Sequence, residues 1–412
     1  MLRAAAVDVG PLRRRPQYRL LFAAQSVSQI GSAFTIVAFP YAVYSMTHSS
    51  LAVGLLGAAE FVPLVLLAFV GGALADAYDR RRLVQLTEAA FAVCSLLLCA
   101  NALLPHPMLW PIFVIAAVTA GLEALQRPAL DSLVPRLVAR DEVTAVAALG
   151  SLRYTLIAVA GPALAGIVIA AFGLAPAFAI DAASFVFSLL LLARMHAVPP
   201  VDAQPANVGR VVEGLRYALS RRDLLGTYIV DFFAMFFGMP NALFPALASA
   251  YGGATVVGFF YAAPAFGAML VSATSGWSSR VRRHGRAIVV AALVWGAAVI
   301  ALGFSHALAV SLAALAVAGG ADMVSGLFRA TIWNQTIPDE LRGRLAALEF
   351  ISYSSGPTLG NVEAGAVAAL FGTRVSVLSG GILCVVGVAA TAFALPQLWR
   401  YEPPPARSTT IT

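Results

Sequence analysis

Gly71-Gly72-Ala73-Leu74-Ala75-Asp76-Ala77-Tyr78-Asp79-Arg80-Arg81-Arg82 is the stretch that decides the fold. It joins two long apolar runs, 51–75 and 83–104, through a handful of charged residues. Each run is long enough to cross the roughly 30 Å hydrocarbon core of a bilayer as a helix. Small residues end the first helix, a carboxylate sits at the edge of its apolar run, and arginines open the second. Two spans with so short a polar link make a tight hairpin, and the arginines place its turn on the cytoplasmic side.

Comparable runs recur along all 412 residues. The chain is 60% hydrophobic and 11% charged, with a mean hydropathy of +0.84, which excludes an ordinary soluble domain. Lipid is the solvent here, so backbone polar groups must be satisfied inside helices. All 27 basic residues are arginine. A Walker A phosphate loop needs its lysine, so an ATP-driven motor of that kind is excluded. Cys94, Cys99 and Cys384 lie in apolar runs, where cysteine serves as a small packing residue. The five histidines are scattered through loops and ends without ligand spacing. No metal, cofactor or nucleic-acid partner is expected, and no nucleophile–base pair marks an enzyme.

The pattern predicts an all-α membrane protein of twelve helices. They fall at about 19–45, 51–75, 83–104, 109–130, 144–172, 177–194, 223–247, 254–278, 287–304, 309–333, 345–371 and 375–397. An even number puts both ends on one side, and arginine decides which. With the N-terminus inside, every arginine except Arg153 and Arg374 falls in a cytoplasmic loop, tail or helix end. The first apolar run follows Arg13-Arg14-Arg15, is too long for a cleavable signal, and reads as a retained anchor. The expected location is a bacterial inner membrane, with both termini cytoplasmic. A polar interval at 195–222 separates the spans six and six. Apolar residues at 211, 212, 215, 218 and 219 predict an amphipathic interfacial helix within it. The predicted organisation is therefore a bundle at 1–194, a linker at 195–222, a second bundle at 223–397 and a tail at 398–412.

The two halves look like copies. Gly161, Gly166 and Phe172-Gly173 recur at one constant offset as Gly360, Gly365 and Phe371-Gly372. Arg127 followed by Pro135 is echoed by Arg329 followed by Pro338, and Gly276 with the Arg280–Arg286 cluster is a worn copy of the opening hairpin. Chance coincidence of glycines is the alternative for each match taken singly. Their parallel order favours two pseudo-symmetric six-helix repeats.

The opening stretch has the form G-x-L-x-D-x-x-x-R-R and resembles the signature of the major facilitator superfamily of secondary transporters. The resemblance covers nearly the whole chain. Arg15-Pro16-Gln17-Tyr18-Arg19-Leu20, Leu51-Ala52-Val53-Gly54, Asp79-Arg80-Arg81-Arg82, Glu213-Gly214-Leu215-Arg216-Tyr217 and Pro338-Asp339-Glu340-Leu341-Arg342-Gly343-Arg344 together look most like its drug-efflux branch. That branch includes the enterobactin exporter and macrolide-efflux proteins. The resemblance implies an inner gate in which Gly72 lets helix 11 approach helix 2, Asp76 pairs near the cytoplasmic end of helix 11, and Arg80 and Arg81 supply partners. A carboxylate suits that place, because helix 11 begins on the cytoplasmic side. Ala77 and Asp79 stand where the pattern has a basic residue and a glycine, and topology anchoring alone also explains the arginines. In helix 5, Gly161-Pro162-Ala163-Leu164-Ala165-Gly166 is similar to the exporters' antiporter motif, with Ile157 and Ala165 replacing two glycines. Tight helix packing is its other reading.

A carboxylate in a membrane helix costs about 2.5–3.5 kcal/mol on insertion scales, so each needs a reason. Glu60, Glu123, Asp231 and Asp322 are the candidates for proton coupling, together with Arg153, the one arginine deep in a span. Arg153 also suits an anionic substrate. Glu363 lies in the outer half of helix 11, while Glu88 and Asp181 read as interfacial. Glu123 has Arg127 at i+4, which offers a simple ion pair. The resemblance puts helices 1, 4, 7 and 10 around the cavity. Gln25 and Gln29 on helix 1, and Phe232, Phe236 and Asn241 on helix 7, are its expected lining; aromatics beside a carboxylate suit bulky amphipathic or cationic ligands. Interhelical hydrogen bonding and lipid-facing packing are the alternatives for these residues. The expected activity is proton-coupled export of lipophilic small molecules or drugs by alternating access, by one chain functional as a monomer. An exporter of a siderophore or other anionic secondary metabolite is the alternative within the class. A non-transporting membrane sensor or scaffold on the same fold is the alternative outside it.

Overall fold

The computed structural model describes residues 8–198, 220–337 and 339–402, with the side chains at 69, 72, 73, 75, 76, 223 and 339–354 outside that description. The predicted amphipathic helix at 211–219 lies outside the described residues. Among the described residues twelve long helices follow one another: α1 Pro16–Thr47, α2 Ser50–Ala77, α3 Arg80–Ala102, α4 Trp110–Leu137, α5 Val143–Phe172 and α6 Leu174–Ala193. Then come α7 Arg222–Phe237, α8 Ala254–Ala273, α9 His284–Phe304, α10 Leu308–Thr336, α11 Asp339–Phe371 and α12 Thr373–Ala394. Eleven helical stretches among the described residues are long and apolar enough to cross a membrane, and α11 completes the twelve.

The links follow from local chemistry. His48 ends α1 in the left-handed region at φ 50, and Ser49 then caps α2 by accepting from the Ala52 N–H at 3.2 Å. Asp79 caps α3, accepting from the Arg81 and Arg82 N–H groups at 2.9 and 3.3 Å. A single glycine makes each of two equivalent links: Gly173 (φ 84) joins α5 to α6, and Gly372 (φ 90) joins α11 to α12. Only glycine takes such a backbone without penalty. The Phe-Gly repeat seen in the sequence thus marks the same turn twice.

The two largest differences from the expected boundaries are in helices 7 and 4. Helix 7 is not continuous over 223–247: α7 stops at Phe237, and the chain resumes as a 3-10 turn, Asn241–Leu243, and a short helix, Phe244–Ala248. Pro240 lacks an N–H and disfavours helical backbone before it. The Trp295 indole N–H on α9 donates to the Gly238 carbonyl at 3.0 Å, satisfying a group near the break. Helix 4, in contrast, runs through Pro128 and Pro135 to Leu137.

The chain forms two compact units. The first comprises Met1–Ala206, Asn241–Ala265 and Gly365–Thr373; the second comprises Asn207–Pro240, Phe266–Ala364 and Arg374–Thr412. In the first, α2 packs on α4, α1 on α5 and α6, and α3 on α4 and α6. Leu21, Val84, Ala129, Leu133 and Leu192 make one core cluster there. In the second, α9 lies along α10 and against α7. Leu398, from the short helix Pro396–Trp399, is fully buried beside Gly226 and Gly285. Leucines such as Leu66, Leu86, Leu97 and Leu190 are exposed, as a bilayer-facing surface requires.

Candidate functional site

Among the described residues of the second unit, three charged side chains meet at one place. Asp322 and Arg329 lie seven residues apart on α10, two turns along one face. Side chains on a helix lean toward its N-terminus, so the guanidinium leans back toward Asp322. Arg329 pairs directly with Asp231 of α7 through Nη1, and its Nη2 stands 3.6 Å from an Asp322 oxygen. The side chains of Asp231 and Arg329 are 6% and 12% exposed, whereas that of Asp322 is 44% exposed. One buried ion pair is therefore joined to one open carboxylate. Two acids share one base, so the triad carries an excess negative charge whenever both carboxylates are ionised. A proton taken up by either acid balances it.

The α7 aromatics sort into two stripes. Phe232 stacks on Phe236 at 5.0 Å, and Phe233 on Phe237 at 5.9 Å. Phe233 belongs to packing: an added Cβ on Gly387 of α12 would fall 2.1 Å from its ring. Phe232 is exposed. Asn241 lies beyond the α7 break, in the first unit, where its carbonyl accepts from the Tyr261 hydroxyl at 3.3 Å.

In the first unit, Glu60 of α2 lies within electrostatic reach of Glu123 of α4 and of Tyr261 of α8. Arg127 interacts with Glu123 and Asp131, each one turn away on α4. Arg153 stands with its guanidinium carbon 5.1 Å above the Phe22 ring of α1, and its buried Nε has no partner. Gln29 presents a buried carbonyl oxygen without a partner. Gln25 does not line an open cavity as expected: it is 6% exposed and donates to Glu88 of α3 at 3.2 Å. Glu88 and Asp181 are corrections too. Rather than interfacial, they are 1% and 2% exposed in the bundle interior, because α1, α3 and α4 supply hydrogen-bond donors there.

The helix-5 segment is a three-helix packing node. A Cβ on Gly161 would fall 2.4 Å from the Ala33 methyl of α1. Gly166 meets α8 backbone to backbone: its Cβ would lie 2.7 Å from the Ala254 carbonyl oxygen and 2.9 Å from the Gly258 Cα. The Pro162 carbonyl oxygen would in turn lie 2.3 Å from a Cβ on Gly258.

The opening hairpin is tied within the first unit. Arg80 is 4% exposed and donates through Nε to Ser132 of α4 at 2.8 Å. Arg81 donates to the Leu192 and Ala193 carbonyls at 2.9 and 2.8 Å, in the last turn of α6. Gly71 abuts the α4 backbone, 2.4 Å from the Ala124 carbonyl oxygen to its Cβ position. The side chains of Gly72 and Asp76 lie outside the described residues. Arg81→Ala is expected to destabilise the protein by about 2 kcal/mol, the worth of a charged hydrogen bond. A thermal melt in detergent checks this, with Arg82→Ala as the control.

The sequence reading missed Arg329 as the partner of both Asp231 and Asp322. The seven-residue spacing on α10 was the available signal.

Twelve membrane helices with buried charge on α7 and α10 define a membrane transporter of the major facilitator class, not an enzyme. Residues 6–405 match the transmembrane secretion effector family, and the chain belongs to it. The enterobactin exporters EntS of Shigella boydii and Escherichia coli are each 29% identical over 411 residues, covering 98% of this chain and 97% of the relative. Among solved structures, a mutant of the peptide transporter POT superposes with a TM-score of 0.77 at 12% identity, covering 97% of this chain and 98% of that one. A bacterial homolog of the human lysosomal transporter Spinster gives 0.74 at 16% identity, covering 94% and 99%. These likenesses are of fold.

Proposed function

We propose that the protein is a proton-driven exporter of small molecules, working as a monomer in the bacterial inner membrane with both termini cytoplasmic. The observation that carries this reading is the sharing of Arg329 by Asp231 and Asp322. Protonation of Asp231 frees the guanidinium to turn to Asp322; deprotonation draws it back. Each exchange carries one proton onto or off α7 and re-pairs Arg329 on α10, which suits alternating access of two six-helix repeats about a midplane site. Arg80 and Arg81 anchor the hairpin that carries Asp76, the inner-gate acid. Glu60, Glu123 and Gln29 line the path in the first repeat.

The substrate class is a lipophilic molecule that stacks on Phe232 and Phe236. A second reading is favoured by Arg153, whose unpaired Nε lies beside the Phe22 ring. That arrangement suits an aromatic anion such as a catecholate siderophore, and the relatives named above are enterobactin exporters.

Proteoliposomes with an imposed pH gradient and an internal pH-sensitive dye test the proposal. Lipophilic cations, macrolides and catecholate siderophores are added one at a time. The expected result is proton movement opposite to one of them, abolished in Asp231→Asn and retained in Arg82→Ala. Proton-independent flux that survives Asp231→Asn would overturn the coupling mechanism. Binding of a compound with no flux at all would favour a sensor.

A further inference from the structure

Two buried carboxylates of the first unit, Asp181 and Glu88, have no role in the mechanism proposed above. Asp181 of α6 accepts two hydroxyl donors on one oxygen: Thr35 of α1 at 2.6 Å and Ser95 of α3 at 2.7 Å. Its other oxygen, Oδ1, is buried without a partner. Glu88 of α3 repeats the arrangement. Its Oε1 accepts from the Gln25 and Gln126 amides, each at 3.2 Å, and its Oε2 is buried without a partner. Both residues are at least 98% buried. Glu88 and Ser95 lie two turns apart on α3, and helix 1 supplies a donor to each acid, so the two sites are stacked along one seam between α1, α3 and α6.

Among the described residues, no positive charge offsets either acid. Toward Asp181, α1 presents Thr35 and Gly31, α3 presents Ser95 with Cys94 beside it, and α6 itself presents Ser184. Toward Glu88, α1 presents Gln25 and Ser28, α4 presents Gln126 and α6 presents Ser188, all uncharged; the neighbouring Arg127 interacts with Glu123 and Asp131. Among the described residues, no charged group acts on Asp181 or Glu88. An ionised carboxylate buried without a counter-charge is costly, and such groups neutralise instead. Donors on one oxygen and a bare second oxygen leave one place for a proton.

We infer that Asp181 and Glu88 form a second proton-binding seam, holding a proton on Oδ1 and on Oε2 and exchanging it with solvent during the transport cycle. The inference rests on the proton-coupled reading above for its role in transport, but not for its chemistry. Helix 1 connects the seam to the transport path: Gln25 and Thr35 hold the two acids, while Gln29 lies between them on the same helix. A movement of α1 that withdraws Thr35 or Gln25 removes a donor from the ionised form and favours the acid.

Infrared difference spectroscopy of the full chain in detergent tests this, with pH as the only variable and no substrate present. The carboxylic-acid C=O band is followed as pH rises from about 5 to about 9, a window open to buried acids because burial favours their neutral form over several units. Part of the band is expected to disappear with rising pH. Asp181→Asn and Glu88→Gln, which keep shape, should each remove a share of the titrating band, and the double variant should remove both shares. Thr35→Val keeps both acids and should move the Asp181 share to higher pH. A band that never titrates would mean a permanent structural acid, and a titrating band unchanged in every variant would mean other groups; either overturns the inference. A titrating seam in a protein that shows no proton-coupled flux would sink the exporter mechanism and leave the seam standing.

Discussion

Arg329→Met is expected to abolish proton-coupled flux and to lower stability by about 3–5 kcal/mol, the cost of leaving one member of a buried ion pair uncompensated. Asp231 is the residue left exposed to that cost, with a side chain 6% accessible and its direct partner gone. The double variant Arg329→Met, Asp231→Asn removes both charges and is expected to recover most of the melting temperature while staying inactive. Asp322→Asn alone should melt close to the parent, because that side chain is 44% exposed. Thermal melts and dye-reported flux on the four proteins separate charge balance from coupling. A single Arg329→Met variant that melts and transports like the parent would show that the triad is inert.

Gly258→Val should be the second severe change. The added Cβ would fall 2.3 Å from the Pro162 carbonyl oxygen and 2.8 Å from the Gly166 Cα. These are backbone atoms in two packed helices, so neither can swing aside. Overpacking of this kind costs about 1–3 kcal/mol, and the α5–α8 contact has to separate to accommodate it. Loss of transport with a lowered melting temperature is expected from Gly258→Val and from Gly166→Val. Gly150→Ala is the control: nothing lies within 4 Å of its Cβ position, and alanine in a helix gains about 0.4–1 kcal/mol where the backbone permits it. If Gly258→Val transports and melts like the parent, the node is not the close backbone contact described.

Hydropathy located all eleven stretches among the described residues that are long and apolar enough to cross a membrane, and the Phe172-Gly173 and Phe371-Gly372 pair correctly marked two equivalent one-residue turns. Hydropathy could do this because lipid imposes a length and an apolar composition on each span. Rotation of each helix was another matter. In a bilayer the lipid-facing and bundle-facing sides differ little in polarity, so no periodic stripe tells which face Glu88 or Asp181 occupies. Both acids lie within two predicted turns of a helix end and were read as interfacial, yet donors on neighbouring helices hold them inside. Gln25 was misplaced for the same reason. The break in α7 was legible in Gly238-Met239-Pro240, but continuous hydropathy masked it. Asp231 and Asp322 stood out as charges in apolar runs, whereas Arg329 looked like a helix-end anchor because the predicted end of helix 10 fell a turn short of Thr336.

The hairpin that revealed the fold also ties it together. Asp79 caps the start of α3, and Arg81 closes the carbonyl end of α6, so one short loop secures two helices far apart in sequence. A loss of about 2 kcal/mol is enough to change cellular abundance several-fold through quality control. A growth screen across residues 79–82 would then score the number of molecules reaching the membrane. Dividing each phenotype by immunoblot signal would return the turnover per molecule, and Arg81 would leave the list of transport residues while Asp231 would stay on it.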